Sequence, residues 1–122
     1  GPVIVRDTST SNPTAPGMLS SHYAPRVPLI IGNIKEMSAT FDPDRTGIIA
    51  FNEFLHHIPK EHQIVLSSTS NFAEAAFHLF AGMRYLDNCD IDVIYAELVP
   101  EQDLGIAIND RLRRAAFKDN AV

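Results

Sequence analysis

The sequence predicts an α/β domain built on a mainly parallel sheet, and three observations carry that expectation. Short apolar, β-rich runs recur along the chain: Leu29-Ile30-Ile31, Gly47 to Phe51 (GIIAF), Gln63 to Ser67 (QIVLS) and Ile91 to Ala96 (IDVIYA). Between the last two, Phe72, Ala76, Leu79, Phe80, Met83 and Leu86 recur at three- and four-residue steps, the period of an amphipathic helix. Strands that alternate with helices close most simply into parallel βαβ units with right-handed crossovers.

Each element has its own local reasons. The first strand stops at Gly32-Asn33, and Lys35 to Phe41 reads as a short helix before the second strand. The third strand is stopped by Ser68-Thr69-Ser70. Asn71 can then cap a helix reaching about Asp87, with Glu74 three residues on, as in a capping box. Leu104, Ile108, Leu112 and Ala115-Ala116 give a final helix over about 105–117. Arg111, Arg113 and Arg114 fall in its later turns, where cations suit the helix dipole.

The chain divides near residue 28. Five of its eight prolines (Pro2, Pro13, Pro16, Pro25 and Pro28) lie before that point, around the turn-forming stretch Thr8 to Pro16. Such a segment buries too little apolar surface to offset its ordering entropy. Residues 1–27 therefore read as an extended linker and residues 28–122 as one domain. The linker's later half carries Met18, Leu19, His22 and Tyr23 between prolines that hold it extended, which suits docking onto a surface.

Composition narrows the functional classes. With 122 residues, 45% hydrophobic and 20% charged, the chain is of ordinary globular type. A net charge of −5 argues against a nucleic-acid binder, and no apolar run reaches the length of a membrane span. The N-terminus lacks the pattern of a signal peptide and an initiator Met, so the chain reads as a fragment of a cytoplasmic protein. The single cysteine, Cys89, reads as a small buried or half-buried residue at a helix end.

One motif points elsewhere. Asp42 to Glu53 (DPDRTGIIAFNE) fits the EF-hand calcium loop except for Thr at its fifth position. Asp42, Asp44 and Glu53 would supply carboxylates, Thr46 a hydroxyl, Ile48 a backbone carbonyl and Gly47 the sharp turn. Against this, Pro59 cuts the exiting helix short, and a second loop to pair with is missing. The same residues read as an Asp42-Pro43-Asp44 turn followed by the strand GIIAF. The expectation is a turn and a strand, with no metal site. His56, His57 and His62 lack the companion ligands of a zinc site, and His78 lies off the helix's apolar stripe. No phosphate-binding glycine loop and no nucleophile motif is present. Residues alone thus leave open a calcium-binding module at 42–53 or a stand-alone nucleotide-binding domain.

Three stretches together carry a family resemblance: Pro16 to Leu29 (PGMLSSHYAPRVPL), Ser70 to Asp87 (SNFAEAAFHLFAGMRYLD) and Ala96 to Ala116 (AELVPEQDLGIAINDRLRRAA). They resemble the linker and C-terminal domain of the two-domain threonylcarbamoyl-AMP synthases, over about residues 16 to 117. The resemblance implies a Rossmann-like, three-layer domain with a four- to five-stranded sheet. It implies a partner, the YrdC-type catalytic domain, whose K-x-R and S-x-N signatures stand nowhere in this chain. ATP and Mg²⁺ would belong to that full enzyme, with no cofactor and no catalytic residue here. The family's linker lies over the catalytic cavity, which makes Pro16, Gly17, Met18, His22, Tyr23, Ala24 and Pro25 the expected gate residues. Asn109 and Arg111 match the family's closing motif. Leu19-Ser20-Ser21 replace the family's K-Y-R, so phosphate contact by basic linker residues is not expected here.

Overall fold

The computed structural model describes residues 26–120. Four strands form one sheet: β1 (Leu29–Ile31), β2 (Thr46–Ala50), β3 (Gln63–Val65) and β4 (Val93–Ala96). Three α-helices join them: α1 (Ile34–Met37), α2 (Phe72–Asp87) and α3 (Leu104–Asn120). The strand order is β1-β4-β2-β3, with every pairing parallel. The registers set Ile30 beside Tyr95, Ile48 beside Tyr95 and Ile49 beside Ile64.

The expected elements are all present, with ends that differ for local reasons. The short helix after β1 is split into α1 and a 3₁₀ turn, Ser38–Thr40. There the Ser38 hydroxyl donates to the Lys35 carbonyl at 3.0 Å and Thr40 donates to Met37 at 2.7 Å, so side chains compete with the helical ladder. Strand β4 opens at Val93, because Asp92 is held outside by Arg45, whose carbonyl also accepts from the Asp92 N–H at 2.8 Å. Beyond β3, Leu66 and Ser67 still donate to Ala50 and Phe51 of the β2 side, so the pairing runs past the regular strand. Helix α3 reaches Asn120, which puts Arg111, Arg113 and Arg114 in mid-helix rather than near its C-terminal dipole.

Period-two alternation along the strands creates two cores. Leu29, Ile49, Ile94 and Ala96 face α2 and α3, meeting Leu79, Met83, Leu86, Ile108 and Leu112. On the other face, Ile48 and Ala50 meet Ile34 of α1 with Phe41, Leu55 and Ile58. Phe41 stacks on Tyr95 with ring centroids 4.2 Å apart. Of the three crossovers, β1 to β2 and β2 to β3 run one way across the sheet and lie on one face, with Ile34, Phe41, Leu55 and Ile58, while β3 to β4 runs back on the other face through α2, as right-handed connections require.

Helix α3 begins under tight constraint. Asp103 has φ of 50°, in the left-handed region, and Gly105 follows it. A Cβ on Gly105 would lie 2.1 Å from the Pro100 carbonyl oxygen and 2.9 Å from Phe72. Backbone rather than a movable side chain blocks the way. Gly105→Ala should therefore lower stability by about 2–4 kcal/mol, despite the gain of nearly 1 kcal/mol that alanine gives an ordinary helix position. Chemical denaturation of the two chains measures it.

Candidate functional site

The carboxyl ends of the parallel strands gather the polar groups, as sheets of this type do. The loop after β3 is the first cluster. Asn71 caps α2 by accepting the Glu74 N–H at 2.8 Å. Glu74 does not complete the expected reciprocal box directly. The Ser67 hydroxyl stands between them: it accepts the Asn71 N–H at 2.9 Å and donates to the Glu74 carboxylate. Ser70, with φ of 60°, is tied to Asn52 of the β2 loop at 2.9 Å. Next to it, the Glu97 carboxylate accepts the Phe51 N–H at 2.8 Å, so the loops after β2, β3 and β4 are cross-linked.

The second cluster is centred on Asn109, one of the residues singled out by the sequence. Its side chain is buried, and its carboxamide grips one residue of the loop after β4. The amide oxygen accepts the Val99 N–H at 2.8 Å and the amide nitrogen donates to the Val99 carbonyl at 2.7 Å. The carboxamide thus stands in for a strand neighbour where the chain leaves the sheet. Its nitrogen also donates to Glu101, which in turn receives Arg113 from one turn further along α3 at 3.4 Å. The hydrogen bond from Asn109, and then Arg113, hold the Glu101 carboxyl below the usual carboxylate range.

Arg111 lies on another face of α3. Its guanidinium carbon sits 4.8 Å from the centroid of the Phe80 ring on α2. The gate residues Pro16, Gly17, Met18, His22, Tyr23, Ala24 and Pro25 lie outside the described residues. Their attachment point is visible. Arg26 donates to the Asp87 carbonyl at 2.7 Å, and the Val27 N–H donates to the Asp87 carboxylate at 2.9 Å. The chain therefore enters the domain at the C-terminal end of α2. Sequence reasoning missed this anchor, and also Glu97 and Ser67. The partners of Asp87 and Glu97 lie dozens of positions away, and Ser67, though its partners are near, sits in a loop with no periodic pattern to mark it.

The acidic loop is built as a turn and a strand. Asp42 accepts the Asp44 N–H at 3.1 Å, and its carbonyl accepts from Arg45, also at 3.1 Å. Thr46 to Ala50 follow as fully buried β2. Gly47 has no positive φ, the conformation its place in an EF-hand turn would need; a Cβ there would strike Ile91 at 2.6 Å. Glu53 points to Lys35 of α1, and the ion pair lowers the Glu53 pKa and raises that of Lys35. Among the described residues no three His, Cys, Asp or Glu side chains are placed to share a metal ion. His57 bonds the Ser38 carbonyl at 2.7 Å, His78 is exposed, and Cys89 is half-buried past the end of α2.

Five cations are committed in the same way. Arg26, Lys35, Arg45, Arg113 and Arg114 each pair with a carboxylate of this chain. Among the described residues no helix is long and apolar enough to cross a membrane.

The family model described as threonylcarbamoyl-AMP synthase, C-terminal domain, matches residues 2–117. The chain belongs to this family. A threonylcarbamoyl-AMP synthase of Pyrococcus abyssi is 32% identical over 119 residues, covering 88% of this chain and 33% of that protein. One of Bacillus subtilis is 29% identical over 111 residues, covering 85% of this chain and 32% of that protein. Among solved structures, P. abyssi Sua5 complexed with L-threonine superposes with a TM-score of 0.62 at 29% identity, over 80% of this chain and 30% of that one. The chain thus spans about a third of the relatives it matches. The synthase C-terminal domain accounts for the parallel sheet and its helices.

Two outcomes follow from this geometry. Asn109→Ala leaves both Val99 backbone groups buried without partners, and should cost about 2–5 kcal/mol. The Glu101 titration midpoint, followed by carboxyl NMR, should rise toward the usual range in the same variant. The sign is fixed by the depressed folded pKa. The stabilisation is present above the unfolded value near 4.5 and is lost as pH falls through the lower folded one. For the acidic loop, adding calcium to micromolar levels should leave the Gly47 amide resonance in place. A saturating shift there would show that the loop can leave the sheet to chelate.

Proposed function

We propose that this chain is the accessory C-terminal domain of an L-threonylcarbamoyladenylate synthase, joined through residues 1–27 to a YrdC-type catalytic domain. The full enzyme condenses threonine, bicarbonate and ATP to threonylcarbamoyl-AMP and pyrophosphate. The product serves the threonylcarbamoyladenosine modification of tRNA in the cytoplasm. The observation that carries this reading is the family match over residues 2–117 in a chain spanning about a third of its relatives.

In this reading ATP and Mg²⁺ are held by the catalytic domain, and this chain neither carries the chemistry nor binds tRNA. Acyl-adenylate formation needs cations aimed at a triphosphate. Five of the basic side chains here are instead turned onto carboxylates of the domain itself. What the domain contributes is a fixed anchor for the arm. Pro16 and Pro25 keep the arm extended, Gly17 gives it a pivot, and Met18, His22, Tyr23 and Ala24 are carried toward the mouth of the catalytic cavity. There the arm gates substrate access and product release, a step that often limits turnover.

Two measurements test this. The 122-residue chain alone should release no pyrophosphate in a threonine-dependent manner. In the full-length enzyme, replacing both His22 and Tyr23 with Ala should lower turnover by about tenfold, the effect of losing ~1.4 kcal/mol of closing interaction. The melting temperature of this domain should stay nearly unchanged, falling by a few degrees at most. Normal turnover with a destabilised domain would show that the two residues serve packing instead.

A further inference from the structure

A groove of about 130 Å³ runs between α2 and α3, lined by Ala76, Leu79, Phe80, Ala107, Ile108 and Arg111. Its walls are apolar, except at Arg111. That guanidinium lies over the Phe80 ring, and its Nη1 is buried and meets no acceptor among the described residues. A buried guanidinium N–H without a partner is costly, because the charge-assisted bond it could make is among the stronger ones. The site therefore calls for an occupant with an exposed acceptor and an apolar or aromatic body. Phe77, at 80% exposure, and Leu104, at 48%, lie three and four residues before the groove residues Phe80 and Ile108.

The chain itself supplies such an occupant. Arg26 and Val27 fix the arm at Asp87, the last residue of α2. Phe80 lies seven residues back along the helix, about 10 Å at 1.5 Å per residue. Tyr23 lies three residues before Arg26 in a segment that Pro25 biases to extended backbone, a reach of about 10 Å at 3.3 Å or more per residue. The two distances agree. An extended, proline-flanked segment also leaves its backbone carbonyls open, and such segments dock in aromatic-lined grooves.

We infer that the α2–α3 groove is a seat for this chain's own arm, with Tyr23 against the Phe80–Arg111 pair and an arm backbone carbonyl accepting from Arg111 Nη1. The seat concerns this chain alone. Only its use, as the resting place of the arm when it is off the catalytic cavity, rests on the gate reading above.

The test uses NMR of the 122-residue chain and does not involve catalysis. Tyr23 ring protons should show nuclear Overhauser contacts to the Ala76 and Ala107 methyl groups. Amide order parameters for residues 19–24 should be above about 0.8, and should fall below about 0.6 in Arg111→Met and in Ala107→Arg, which removes the cation or fills the groove. Tyr23→Ala, a change in the arm, should move the Ala76 and Ala107 methyl resonances. Absence of these contacts in the parent chain, or contacts that persist in both groove variants, overturns the inference. So do groove resonances that move only with protein concentration, which marks a second copy as occupant, or only when the catalytic domain is added. The turnover experiment above fails or succeeds independently of this one.

Discussion

Strand β2 is buried along its whole length, and the rest of the architecture answers to that. A strand flanked on both edges and covered on both faces must be apolar throughout. Thr46-Gly47-Ile48-Ile49-Ala50 meets this with small or β-branched residues at every position. Both faces then need cover. On one side α2 and α3 bring Leu79, Met83 and Ile108; on the other, the short α1 and the loops around it bring Ile34, Phe41, Leu55 and Ile58. The asymmetry has a cause. Residues 34–62 hold two 3₁₀ turns and a four-residue helix, so that face is closed by individual side chains rather than by long helices.

The same constraint explains why an acidic, calcium-like pattern sits in front of a strand. Asp42, Asp44 and Thr46 recur every second residue because a turn and the first residue of a strand both use that spacing. Their partners decide between the readings. Asp42 closes its own turn, and Arg45 is tied to Asp90 and Asp92 where the paired strands β2 and β4 begin. Glu53 is drawn to Lys35. The strand buries two of the liganding residues, Thr46 and Ile48, and moving them would open the centre of the sheet.

Much of this was legible in the sequence because it is local. The four strands follow from runs such as Leu29-Ile30-Ile31 and GIIAF, and α2 from its apolar period and the cap at Asn71. The parallel sheet follows from their alternation. What was not legible is set by contacts between distant positions. That Ser67 relays the cap of α2 depends on the loop geometry of Ser68 to Ser70. Asn109 was marked by a family motif, but nothing local shows that its amide replaces a strand neighbour for Val99, ten residues away. The cations of α3 look alike in sequence and differ in space. Arg113 reaches back to Glu101, Arg114 pairs with Asp110 four residues before it, and Arg111 lies over Phe80.

That difference among the three arginines bears on how a non-catalytic domain could influence an active site. Arg113 and Arg114 satisfy themselves within one helix and its preceding loop, so their role ends with stability. Arg111 forms no ion pair with a described carboxylate and lies against an apolar groove, where its Nη1 is buried without an acceptor. The arm enters the domain beside the end of that groove, held by Arg26 and Val27 on Asp87. A domain that anchors the arm at one end and offers it a weak seat nearby can hold it off the catalytic cavity without binding substrate. The affinity of that seat must be modest for the arm to exchange. A single cation over one ring, worth about 0.5–2 kcal/mol, is of that order, whereas a buried ion pair would trap the arm in one position.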